Sequence, residues 1–205
     1  MSDPTNFVTP DYPPARPTRR RAGWKWALWG AVALVLFVGA WIGTQALIGA
    51  LTPKHAPAVA AASYAHTSAG MGYTAEFTGK PTVTPSEQTV GDTVLKTELV
   101  EYFRNPVDEV VVATELPTEL VADDRDELLT TFYDSAASGF PGAKVSAAKT
   151  TEVAGEKALS GTITLKNGTV ANFVVVYHNE VQYMLYEQVG AKSTQKLFDS
   201  FEFAD

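Results

Sequence analysis

The chain has 205 residues, a formal net charge of −7 and no cysteine. Without cysteine, disulfides and a lipid anchor on a Cys sulfur are both excluded, so any folded part must rest on its hydrophobic core. Residues 1–25 carry Arg16, Arg19, Arg20, Arg21 and Lys25 against Asp3 and Asp11, a balance of +3 that leaves −10 for the remainder, and so acidic a remainder lacks the basic footprint of a nucleic-acid binder.

The opening segment, residues 1–25, places Pro4, Pro10, Pro13, Pro14 and Pro17 among polar residues. Such a composition cannot bury a core, and a disordered cytoplasmic tail is expected. The PxxP spacings at Pro10 to Pro13 and Pro14 to Pro17 suit a proline-reading domain. The plainer reading is a flexible lead whose arginines set topology and meet anionic lipid headgroups.

No charged residue occurs between Lys25 and Lys54. Some 20 apolar residues, at about 1.5 Å each, cross a hydrocarbon core about 30 Å thick, so residues 26–51 are read as one transmembrane helix. Arg19, Arg20, Arg21 and Lys25 precede it closely whereas Lys54 alone follows, which keeps the N-terminus in the cytoplasm and sends the C-terminal part outside. Trp24, Trp26 and Trp29 cluster at the inner end as headgroup anchors. A cleaved signal peptide is the competing reading, but its apolar core is about 7 to 15 residues and the run here is longer. Gly39 and Gly43 form a GxxxG spacing that lets two spans approach, so homodimerisation through this helix is a further expectation.

Pro53 should stop the helix, and residues 52–70, rich in Ala, Ser and Pro, read as an extracytoplasmic stalk with room for a short helix over 59–65. The remaining residues, 71–205, are a normal length for one domain.

Strand patterns dominate that domain. Tyr73, Ala75 and Phe77 alternate with polar neighbours, residues 94–103 and 109–115 are rich in β-branched and aromatic types, and 158–165 alternates less regularly. Asn167-Gly168 predicts a type I′ hairpin joining 161–165 to 169–177. A second hairpin turns at His178-Asn179-Glu180 and returns along 181–188. The run Phe173 to Tyr177 is apolar on both faces, which predicts a central strand covered on both sides. A helix over 124–138 begins with Asp123, Asp124, Asp126 and Glu127 where caps and the dipole favour acids. Another, over 193–201, carries Leu197, Phe198 and Phe201 on one stripe. The order of four strands, a helix, four strands and a helix gives an α+β sandwich with a mostly antiparallel sheet and two covering helices.

Tyr73, Phe77 and the Gly79-Lys80-Pro81 turn resemble the opening strand of bacterial PsbP-like domains. Val153 to Ala158, the Tyr186 strand and the closing Phe198 to Phe203 segment resemble the rest of that pattern, with a departure at Thr78, where many relatives have proline. The resemblance implies the sandwich fold. Members include a photosystem extrinsic subunit and a Ran-binding import factor, and a role in binding other proteins is what the likeness implies.

Catalysis is disfavoured on the residues. His55 and His66 fall in the stalk, leaving His178 in a turn with no nucleophile elbow or glycine-rich oxyanion loop. No histidines pair at zinc-ligand spacing, and no twelve-residue calcium loop surrounds the acids at 123–127. The aromatic residues Tyr102, Phe103, Phe132, Tyr133, Tyr177, Tyr183 and Tyr186 suit a sticky surface, although a sheet-and-helix core consumes such residues. The expectation is a noncatalytic protein-binding or accessory module of the bacterial envelope, with no cofactor, and with the lipid bilayer and another envelope protein as partners. Alternatives are a binder of small molecules or envelope precursors and a hydrolase with an unrecognised site.

Overall fold

The computed structural model describes residues 63–90, 93–104, 107–117, 125–140, 142–165, 168–188 and 195–204. The tail (1–25), the apolar run (26–51) and the first part of the stalk lie outside these residues. Among the described residues no helix is long and apolar enough to cross a membrane.

The described strands are β1 (Tyr64–Ser68), β2 (Tyr73–Phe77), β3 (Thr82–Val90), β4 (Thr93–Arg104), β5 (Val107–Glu115), β6 (Lys144–Val145), β7 (Lys149–Val153), β8 (Glu156–Thr164), β9 (Val170–His178), β10 (Val181–Gln188) and β11 (Glu202–Phe203). Helix α1 spans Arg125–Ser138 and α2 spans Lys196–Asp199. A large antiparallel sheet runs β3-β4-β5-β10-β9-β8-β6, with β7 also paired to β8, and a small sheet runs β1-β2-β11.

The sandwich follows from burying strands that are apolar on both faces. In β9 the residues Phe173 to Tyr177 are all buried, as expected for a covered strand, and β10 is buried from Gln182 to Glu187. On one face Leu129, Phe132, Tyr133, Ala136 and Phe140 pack on Val110, Val112, Phe173, Val175 and Tyr186. On the other, Tyr73, Ala75 and Phe77 of the small sheet, with Leu197 and Phe201, pack on Val111, Ala113, Val174, Val176 and Leu185. Each large apolar side chain removed from water contributes about 1.5–3 kcal/mol, so the two cores hold the layers without cross-links.

Helix α1 matches the predicted 124–138, with Asp126 and Glu127 in its first turn; Asp123 and Asp124 lie outside the described residues. Four expectations change. Tyr64–Ser68, read as stalk or a short helix, pairs antiparallel with β2, because the aromatic face of β2 needs a neighbour to complete its ladder. The second helix is one turn rather than 193–201: Gln195 at its start is left-handed (φ 52°), and Phe201 leaves the helix for the aromatic core while Glu202 and Phe203 pair with β2. Strand order is therefore five, helix, five, helix, one among the described residues. Finally, the β8–β9 connection closes at Leu165 and Thr169, with Gly168 N–H donating to Leu165 O and Gly168 at φ 84°. That is the bonding of a three-residue loop with glycine in the left-handed position, not of a two-residue type I′ turn. The two-residue form appears instead between β7 and β8, where Val153 faces Glu156 across Ala154 (φ 48°) and Gly155 (φ 84°).

Candidate functional site

Arg19, Arg20, Arg21, Lys25, Trp24, Trp26, Trp29, Gly39 and Gly43 lie outside the described residues. Of the aromatic residues considered for a sticky surface, Phe132, Tyr133, Tyr177, Tyr183 and Tyr186 are buried, while Tyr102 and Phe103 are half-buried. They fill the core. The exposed large apolar residues among those described are Tyr64, Val83, Val94 and Val170, spread over four strands.

His178 is not a solvated turn histidine. It is half-buried, its Nδ1 lies 2.9 Å from Glu156 Oε1, and its ring stacks on Phe203 at 4.1 Å between centroids. The other Glu156 oxygen takes Arg125 at 3.0 Å. Arg125 also donates to the Tyr177 carbonyl at 2.7 Å and sits over the Tyr177 ring, 5.4 Å from its centroid. Beside them Lys157 donates to Asp126 at 2.7 Å. Residues from β8, β9, α1 and β11 thus meet at the N-terminal end of α1. The acid and histidine are present, but the described hydrogen bonds join His178 to no serine or threonine hydroxyl, and what the group does chemically is to clamp α1 and β11 to the sheet.

Behind the clamp lies a polar pair. Gln182 on β10 is the register partner of Tyr177 on β9, and the two are 4% and 3% exposed. Gln182 Nε2 and the Tyr177 hydroxyl both lack a hydrogen-bond partner. Burial raises the Tyr177 pKa, Arg125 opposes the rise, and Glu180 adds to it, so this phenol is a donor at neutral pH. Buried polar atoms in proteins are nearly all paired, and these two exceptions stand side by side in the sheet.

His66, read as a stalk residue, is also taken into the fold. It lies against Tyr73 and Phe77 with Nε2 3.9 Å from Glu98, and Tyr73 donates to the same carboxylate at 3.1 Å. At the far end of the sheet Asp108, Glu109 and Glu187 are buried. Glu109 accepts from the Thr78 N–H at 2.6 Å and from the Thr78 hydroxyl. Asp108 is pushed up to about 7, first by burial and then by Glu101 and Glu109. Among the described residues no three His, Asp or Glu side chains are placed to hold a metal ion.

Sequence reading missed Arg125, Glu156 and Gln182 because their meeting depends on long-range pairing. The one available signal was that polar Gln182 falls in an otherwise apolar strand phase with Met184 and Tyr186.

The geometry defines a helix-capped antiparallel α+β sandwich. It is similar to the solution structure of cyanobacterial PsbP (CyanoP) from Synechocystis sp. PCC 6803, with a TM-score of 0.43 and 13% identity, over 76% of this chain and 99% of that one. No family model matches the chain, and no curated protein does.

Proposed function

We propose that this chain is a single-pass protein of the bacterial cell envelope, N-terminus in the cytoplasm, whose extracytoplasmic α+β domain is a noncatalytic binding or accessory module. The observation that carries the reading is the charge-free stretch between Lys25 and Lys54, bracketed on one side by clustered arginines and followed after a short segment by the folded domain. Its supposed partners are the bilayer and another envelope protein, and Gly39 and Gly43 supply a contact for pairing two spans. The noncatalytic part is supported by the use of His178 and Glu156 in holding Arg125 and Phe203 in place. The native absence of cysteine makes the test direct. Single Ser2→Cys and Ala204→Cys variants are treated in intact cells with an impermeant maleimide. Labelling of the second and protection of the first is expected; the reverse pattern, or labelling of both, sinks the anchored topology.

A second reading, a small-molecule or envelope-precursor binder, is favoured by the adjacent unpartnered polar groups of Tyr177 and Gln182. Proximity labelling from the outer domain separates the two, since a protein set lost when residues 63–205 are replaced by an unrelated fold supports protein binding.

A further inference from the structure

On the face of the large sheet beneath α1, the apolar Val110, Val112, Met184 and Tyr186 give way at one end to a row of uncharged polar side chains. Side chains alternate along each strand, so Thr114 shares the face of Val110 and Val112, and Gln182 shares that of Met184 and Tyr186. Register then sets the row side by side: Ser86 opposite Thr97, Thr97 opposite Thr114, Thr114 opposite Gln182, and Gln182 opposite Tyr177. With strands about 5 Å apart, a hydroxyl or amide recurs at about that interval from the edge strand inward.

Burial grades along the row. Ser86, Thr97 and Thr114 are half-buried, and Gln182 and Tyr177 are buried. Thr97 and Thr114 satisfy one another at 3.2 Å. At the inner end, beside the N-terminus of α1, Gln182 Nε2 and the Tyr177 hydroxyl have no partner. Helix α1 packs most closely on β8 and β9, and toward the edge strand Thr114, Thr97 and Ser86 keep part of their surface open to solvent.

We propose that this row is a binding site for a neutral, hydroxyl-rich ligand of the saccharide class, a proposal that rests on the small-molecule reading above. Every group in the row except the amide is a hydroxyl, which donates and accepts at once, and a ligand hydroxyl does the same. The row holds no charged side chain. Its inner end is flanked by both signs, Arg125 over the Tyr177 ring and Glu180 close enough to raise the Tyr177 pKa, so neither a cation nor an anion gains by entering.

The test is saturation-transfer NMR on the full chain in lipid nanodiscs, with trehalose, maltose and diacetylchitobiose as probes and glucuronate and glucosamine as charged comparisons. Transfer to the neutral sugars is expected, weakened about tenfold by Tyr177→Phe or Gln182→Leu, the loss that accompanies one hydrogen bond to a buried partner. Thr97→Val, at a half-buried position, gives the same readout where a core variant fails to fold. Neutral-sugar binding unaffected by all three substitutions overturns this site and leaves the small-molecule reading standing. Binding of a charged probe alone, lost on the same substitutions, overturns the saccharide class only. Silence from all five probes with the domain folded overturns the saccharide proposal, while the wider small-molecule reading is then decided by the proximity-labelling comparison.

Discussion

Replacing Gly161 by alanine is expected to loosen the helix-side core. Gly161 is buried on β8 opposite Phe173 of β9. A Cβ built there collides with the Tyr133 hydroxyl and comes within 2.8 Å of Phe173 Cε1 and 3.0 Å of Tyr133 Cζ. Neither ring can yield easily. Tyr133 and Phe173 stack with centroids 4.9 Å apart, and the Tyr133 hydroxyl donates to the Ser146 carbonyl at 2.9 Å. Overpacking a core costs about 1–3 kcal/mol, and displacing Tyr133 adds about 1 kcal/mol for its hydrogen bond. A loss of about 2–4 kcal/mol results, which at about 2–4 °C per kcal/mol for a domain of this size lowers the melting temperature by about 5–15 °C. All four tryptophans precede the domain, so the melt is best followed by the far-ultraviolet circular dichroism of the strands. Tyr133→Leu in the Gly161→Ala background removes the ring that is struck, and the pair should be coupled by more than about 0.5 kcal/mol. A Gly161→Ala protein that melts with the parent, or a double variant whose losses simply add, refutes the packing argument.

Thr78→Pro removes both the N–H and the hydroxyl that donate to buried Glu109; a loss of about 2–4 kcal/mol in denaturant unfolding is expected, and a neutral result would mean that Glu109 is not held by Thr78. Asp108 carries a raised pKa of about 7 in the fold against about 3.9 in an unfolded chain. A folded pKa above the unfolded value means that stability falls as pH rises from about 4 to about 7 and stays low above that. Asp108→Asn should therefore gain stability over the parent at pH 8, by an amount of order a few kcal/mol, and lose that advantage near pH 4; a pH-independent difference contradicts the assigned titration. Ala154→Gly relieves a left-handed residue at φ 48° and should stabilise the β7–β8 hairpin by about 0.5–1 kcal/mol, whereas a destabilised hairpin would show the turn to be unstrained. Tyr73→Phe deletes the donor to Glu98 and should cost about 1 kcal/mol in the same unfolding assay; no change would make that bond dispensable.

The elements were legible wherever local chemistry sufficed. Asp126 and Glu127 open α1 as charge and dipole require, and the unbroken apolar run from Phe173 to Tyr177 could only be a covered strand. The turn at Asn179 was legible too, because asparagine tolerates the positive φ that it adopts. Where competing local signals existed, tertiary packing chose between them. The stripe of Leu197, Phe198 and Phe201 suits a helix, yet Phe201 lies in the aromatic group with Tyr73 and Tyr183, and that burial outweighs another turn of backbone hydrogen bonds. Tyr64 to Ser68 has little strand character of its own and is a strand because β2 offers it an edge.

What the sequence by itself determined is the partition of the chain: an arginine-flanked, charge-free run, then an acidic, cysteine-free α+β domain of alternating strands. These properties depend on composition and on periods of two to four residues, which are local. What only the tertiary structure decided is which distant residues meet. Arg125, Glu156 and His178 join across three elements, and Thr97, Thr114, Gln182 and Tyr177 fall into one row through the registers of four strands. A shift of one residue in any of those registers would turn the row to the other face, so no local pattern encodes it and only the packed sheet fixes it.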